Sequence, residues 1–292
     1  MASVDEAGGS KFVFLRPFPE QDEYFLSDSL PFLVCLVIAY LAYVLKIGPD
    51  YMKNREPYKL KNTILVYNAI QVILSAYFVY LSLLSLIPFG FFPETCVEDD
   101  PEKRKVMIYA VYIYFLGKIT ELLDTVFFVL RKKYNQVSFL HVYHHSSVIV
   151  GTWLMFRYSI SQTAVYAAFI NSLVHVVMYF YYFMAALGPQ YQKYLTWKKH
   201  ITTFQLVQFV SMFCHQVIML LRSKNCTHSV AGLIYVFYST VLFFKLFSNF
   251  YNQSYNKAQK KGESQRKSQN EINNDKTQND TTVSDENKIK AN

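Results

Sequence analysis

The chain has 292 residues, of which 52% are hydrophobic, 17% aromatic and 17% charged, with a formal net charge of +8. So many Tyr and Phe (24 and 25) beside so few charges exclude an ordinary soluble domain and point to helices in a bilayer. The basic excess sits where loops flank membrane segments, so it calls for no nucleic-acid partner.

In chain order, a polar leader covers residues 1–29. It is too long and too polar for a cleaved signal peptide, and the first apolar segment is expected to be a retained signal anchor. Seven largely apolar stretches follow, at 30–47, 63–87, 106–130, 139–156, 163–186, 201–221 and 230–250. Strands in lipid would need a period-2 pattern and closure into a barrel; the pattern is absent, so helices are expected. The reading is an all-α membrane protein with a seven-helix domain over 30–250 and a tail over 251–292.

Lys and Arg set the orientation. The connections 48–62, 131–138 and 187–200, with the start of the tail, hold fifteen basic residues against eight in the opposite set. The richer side faces the cytosol, which places the N-terminus in the lumen and the C-terminus in the cytosol. The tail is rich in Asn, Gln, Ser and Lys and is expected to be disordered. Its ending "KIKAN" places Lys288 and Lys290 as in the dilysine retrieval signals of endoplasmic reticulum membrane proteins. Cys96 in the second connection and Cys226 in the sixth both fall on the oxidising side, which favours a disulfide between them. Asn225 opens a glycosylation sequon whose middle residue is Cys226, and it is expected to be unmodified.

Ionisable side chains within membrane segments mark sites. In the third segment, "KITELLDT" puts Lys118, Glu121, Asp124 and Thr125 along one helical stripe, with Lys118 and Glu121 spaced to neutralise each other. The fourth opens with "HVYHH", where His141, His144 and His145 share a face. In the fifth, Asn171, His175, Met178, Tyr179 and Tyr182 share another. In the sixth, Thr202, Gln205 and Gln208 do the same. Each alone has a plain structural reading, as an ion pair, an interfacial aromatic belt or interhelical polar glue. Given the alternating direction of the segments, all four sets fall in the middle or the cytosolic half. Convergence at one depth marks a site open toward the cytosol.

The box H-x-x-H-H also occurs in membrane di-iron desaturases and hydroxylases, which collect histidines from several boxes. Here only His141, His144, His145, His175 and His200 lie on the right side, too few for two irons, so no metal is expected. A single ion held by the box is left open, because imidazole is a common ligand. Without metal, imidazoles act as base or nucleophile. None of the four cysteines lies in the polar cluster, so a covalent acyl group would fall to a histidine. A dry tunnel would protect such an acyl-imidazole from hydrolysis.

"KITELLDT", "HVYHH", "NSLVHVVMYFYY" and "TTFQLVQF", in this order, resemble the four signatures of the eukaryotic very-long-chain fatty acid elongases. "GPDYMKNREPYKL" and "VYN" at 66–68 are similar to that family's first cytosolic loop and second segment, and the resemblance spans about residues 25–255. It implies seven transmembrane helices, six of them a barrel around a hydrophobic acyl tunnel closed at the lumenal end. It implies a very-long-chain 3-oxoacyl-CoA synthase, an acyltransferase condensing long-chain acyl-CoA with malonyl-CoA to 3-ketoacyl-CoA, CoA and carbon dioxide. His144 would take the acyl group, His175 would assist at the reacting carbons, and His141 and His145 would orient the neighbouring imidazole and handle protons. Lys118, Glu121, Asp124, Asn171, Tyr179, Tyr182, Gln205 and Gln208 would line the substrate site. Acyl-CoA and malonyl-CoA enter as substrates and no cofactor is bound.

Arg131, Lys132, Lys133, Lys198 and Lys199 are candidates for the phosphates of coenzyme A, although the positive-inside rule already accounts for them. The partners implied are the lipid bilayer and the reductases and dehydratase of the elongation cycle, with homo-oligomer formation left open. Two rivals stand beside this reading. A di-iron desaturase or hydroxylase explains only the histidine box. A seven-helix receptor shares the topology, but its ligand polarity should favour the outer half.

Overall fold

The computed structural model describes residues 12–13, 21–26, 29–95, 100–158, 160–222 and 228–256. The described residues up to Leu246 form one compact unit and those from Phe247 onward a second. Helix α1 (Leu30–Ala42) runs through a π-helical turn, Tyr43–Ile47, into α2 (Gly48–Met52). Next come α3 (Lys61–Phe89), α4 (Pro101–Thr120), α5 (Leu123–Leu130) and α6 (Phe139–Tyr158). The chain continues through α7 (Gln162–Leu187), the short α8 (Pro189–Gln192), α9 (Lys198–Arg222) and α10 (Val230–Tyr251). In the second unit the chain extends by one π-helical turn, Asn252–Asn256.

Local chemistry sets several of these ends. Asp100 caps α4 by accepting from the Glu102 backbone N–H at 3.0 Å, and Pro101 occupies the first turn, where no N–H is needed. Ser161 caps α7 through the Ala164 N–H. Gly188, at φ +137°, ends α7 in a conformation that side chains resist, and Pro189 then starts α8.

Among the described residues, six helical runs are long and apolar enough to cross a membrane: Leu30–Met52, Lys61–Phe89, Pro101–Leu130, Gln162–Leu187, Lys198–Arg222 and Gly232–Asn256. The fourth apolar stretch, expected as a span at 139–156, is the helix α6, whose 20 residues reach roughly 30 Å at the α-helical rise but which is not among these six. It falls outside that set because three histidines and two serines occupy its first turns. Ile149, Trp153 and Phe156 nevertheless bury its far half.

The third segment also departs from the continuous helix expected. It breaks at Glu121–Leu122, where the bonds tighten to a three-residue spacing: Leu122 N–H to Ile119 O and Thr125 N–H to Leu122 O, each 3.2 Å. Thr120 Oγ1 donates to the Gly117 carbonyl at 2.7 Å, which competes locally with the helical ladder.

The most extensive helix contact joins α3 to α7. Along α3 a buried seam runs through Asn68, Gln71, Ser75, Phe78, Ser82 and Ser85, mostly small or polar residues that let helices approach in lipid. Helix α4 packs on α3 at Gly117, where an added Cβ would come within 2.5 Å of the Phe78 ring. At the opposite end from the histidines, Tyr24 packs at a tilt against Tyr112 and edge-on against Phe156, the Trp153 indole donates to Leu26 O, and Asp22 pairs with Arg157. A two-residue parallel pairing of Phe12–Val13 with His228–Ser229 also ties the leader to the α9–α10 connection. Leader and connection therefore share one end of the bundle. Cys96, Cys226, Asn225, Lys288 and Lys290 lie outside the described residues.

Candidate functional site

Lys118, on the last turn of α4, is 3% exposed. Its Nζ donates to Glu121 Oε1 and to Asn171 Oδ1, both at 2.7 Å. Tyr114, one turn back on α4, donates its hydroxyl to the same Asn171 oxygen at 2.8 Å, and the lysine also lies over its ring. With Oδ1 receiving two donors, the Asn171 amide nitrogen points the other way, toward Gln208 Oε1 at 3.4 Å. His175, one turn beyond Asn171 on α7, places Nδ1 3.0 Å from Glu121 Oε1. A buried ion pair is tolerable only when further groups support its charges, and here Asn171 of α7 accepts from Lys118 and the Tyr114 ring of α4 faces the cation.

A second set lies beyond the helix break. The Tyr179 hydroxyl donates to Asp124 Oδ2 at 2.6 Å, and its ring packs edge-on against Tyr67 and His175. Thr125, fully buried, pairs with His141 Nε2 and with the Tyr40 hydroxyl, each at 2.9 Å. That bond joins the helix carrying the acidic stripe to the histidine helix.

Within the box the three imidazoles touch in sequence. His141 and His145 have ring centroids 4.4 Å apart, and His145 and His144 5.3 Å apart. His145 is buried, while His144 is half-buried with its ring edge against Phe243 of α10. His144 also lies within electrostatic reach of Lys118, Glu121 and His175. Tyr235 of α10 donates to the Ser147 carbonyl at 2.8 Å, bracing α6 one turn past His144.

The structure thus brings together Lys118, Glu121, Asn171, His175 and Gln208, and joins Asp124 to Tyr179 and His141 to Thr125. Gln205 stands half-buried at the edge, where its amide reaches only the Met178 sulfur at 3.7 Å, a weak acceptor. Tyr182 is 39% exposed, because it lies roughly 10 Å further along α7 than His175. Tyr114, Tyr40, Tyr67, Gln71 and Phe243 were not among the expected site residues. Tyr114 sits four residues before Lys118, so the same stripe reaches it. Nothing local marks Tyr40, which meets Thr125 across 85 positions.

A helical membrane protein with an ionisable cluster held between its helices is the class that this fold and site define. Residues 25–263 match the ELO family, described as GNS1/SUR4. The chain is 37% identical over 223 residues to very long chain fatty acid elongase 7 of Rattus norvegicus, which covers 76% of this chain and 79% of that protein. It is 36% identical over 238 residues to very long chain fatty acid elongase 7 of Drosophila melanogaster, across 79% of this chain and 70% of the relative. Very long chain fatty acid elongase 1 of Mus musculus matches at 38% over 242 residues, 79% of this chain and 84% of its own. The chain belongs to the ELO (GNS1/SUR4) family.

Proposed function

We propose that the protein condenses a long-chain acyl-CoA with malonyl-CoA to give a 3-ketoacyl-CoA, carbon dioxide and CoA. The observation that carries this reading is the buried cluster of Lys118, Glu121, Asn171 and His175, together with the half-buried His144 of the histidine helix, in a chain whose relatives are named very long chain fatty acid elongases. In the first step the His144 imidazole attacks the thioester carbonyl. A C–N bond forms, the C–S bond breaks, CoA departs as a thiolate that takes up a proton from solvent, and the imidazole proton is released. In the second step malonyl-CoA loses carbon dioxide and its electron pair moves to the α-carbon as an enolate. That carbon attacks the acyl-imidazole, a C–C bond forms, the C–N bond breaks, and His144 recovers a proton. One proton is consumed overall.

His144 is the middle histidine of the box and is half-buried with its ring edge against Phe243, whereas His145 is buried between the other two rings. No metal or cofactor enters the sequence; the two CoA esters are the substrates. α6 completes a seven-helix bundle in which six helices surround an apolar acyl tunnel closed at the lumenal end. The leader segment around Tyr24 and Leu26 supports closure there. Arg131, Lys132, Lys133, Lys198 and Lys199 suit the CoA phosphates at the cytosolic mouth. The protein resides in the endoplasmic reticulum membrane with a lumenal N-terminus and a cytosolic C-terminus. There it works beside the reductases and dehydratase that process its product.

The test uses purified full-length protein with malonyl-CoA and a panel of saturated and unsaturated acyl-CoAs, with and without chelator. A 3-ketoacyl-CoA two carbons longer, identified by mass and formed in chelator, is expected. A product formed only with iron, oxygen and a reductant would replace this reading with an oxidase.

A further inference from the structure

Glu121 stands at the break between α4 and α5, where the tightened turn carries its carboxylate across to α7. Its Oε1 lies 2.7 Å from Lys118 Nζ and 3.0 Å from His175 Nδ1. Lys118 is bound in turn to Asn171, one turn before His175 on the same face of α7. The carboxylate is thus clamped against the helix that presents His175. Two buried polar atoms in this group lack hydrogen-bond partners, Glu121 Oε2 and His175 Nδ1. The 3.0 Å approach of His175 Nδ1 to Glu121 Oε1 is therefore a close contact without hydrogen-bond alignment. Unpaired buried polar atoms are destabilising. The last torsion of Glu is broad, so a modest rotation of the carboxylate aligns an oxygen with the ring nitrogen. Such alignment commonly tightens only when substrate is bound.

We infer that Glu121 is a positioning residue that holds His175 as the Nδ1–H tautomer and leaves Nε2 as the basic nitrogen facing the reaction. A neutral imidazole has one donor and one acceptor nitrogen, so a carboxylate at Nδ1 decides which is which. The inference rests on the condensation reading for what Nε2 then does. As the acyl group reaches His144, Nε2 of His175 takes the imidazole proton. The resulting imidazolium is stabilised by Glu121, and its Nε2–H donates to the enolate oxygen after decarboxylation. When the C–C bond forms, the proton returns to His144.

Two double variants separate this role from simple charge pairing, because neither leaves a buried charge alone. Lys118→Met with Glu121→Gln keeps an acceptor oxygen for Nδ1; Lys118→Met with Glu121→Met removes it. The ¹⁵N spectrum of histidine-labelled full-length protein in micelles, with the His175 signals identified from His175→Gln, reports the tautomer. The Nδ1–H form is expected in wild type and in the glutamine double variant, and the Nε2–H form in the methionine double variant. Condensation in the methionine double variant is expected to fall at least about tenfold below the glutamine one, in kcat rather than in KM for acyl-CoA. An Nε2–H tautomer in wild type, or equal tautomers and rates in the two double variants, overturns the role of Glu121. The tautomer is read without turnover, so failure of the elongase reading would show separately, as the absence of condensation product in wild type.

Discussion

Lys118 Nζ donates to Asn171 Oδ1 at 2.7 Å, joining α4 to α7 across 53 positions of sequence. The same oxygen also serves Tyr114, so one amide satisfies a buried cation and a buried phenol. Replacing Asn171 by Leu, which is close in size, strands the Tyr114 hydroxyl and one N–H of Lys118, whose bond to Glu121 remains. The expected cost is about 1–3 kcal/mol for the donors left unpaired, together with loss of condensation. Thermal unfolding in detergent, followed by size-exclusion chromatography of heated samples, reads the first effect. An unchanged midpoint would show that the contact does not hold the two helices.

Tyr179 and Asp124 form the second bridge, 2.6 Å from hydroxyl to carboxylate. Hydrogen bonds to charged groups contribute about 1.5–3 kcal/mol, so Tyr179→Phe is expected to lower stability by about that amount. Asp124→Asn made on top of it should add little, because the partner is already gone. Full additivity of the two changes in a double-mutant cycle would show that the pair is not coupled.

Much of this site was legible in the chain. Spacings of three and four placed Lys118 with Glu121, His141 with His145, and Asn171 with His175, and each pair occupies one side of its helix as those spacings require. What was not legible follows from tertiary contact or from local competition. The break at Glu121–Leu122 depends on Thr120 bonding back to Gly117 and on Gln71 of α3 reaching the same hydroxyl at 3.0 Å. An isolated stripe shows neither. The seam through Asn68, Gln71, Ser75, Ser82 and Ser85 carries a three-and-four spacing, yet small polar residues in an apolar run do not announce a packing face. α6 was expected as a span like the others. Its histidines, which make the site, are also what lower its apolarity.

Cys96 and Cys226, both proposed to face the lumen, test the orientation by a route independent of the helices. A bond between Cys96 and Cys226 would tie the α3–α4 connection to the α9–α10 connection. Peptide mapping of native membranes without reductant should recover the two as one cross-linked species. Loss of the bond is expected to cost about 2–5 kcal/mol. Two free thiols in freshly isolated membranes would contradict both the bond and the assignment of that face to an oxidising compartment.

The central claim is that His144 carries the acyl chain before malonyl-CoA reacts. The direct measurement mixes purified enzyme with a long-chain acyl-CoA alone, quenches rapidly, and follows free CoA together with the mass of the peptide holding residues 141–145. The account predicts a burst of up to one CoA per active site and one added acyl mass on that peptide, both abolished in His144→Ala. It predicts that the isolated acyl-enzyme yields 3-ketoacyl product once malonyl-CoA is added. Active enzyme that shows no burst and no adduct, yet forms product when both substrates are present, would contradict the claim and leave the histidines as bases in a direct transfer.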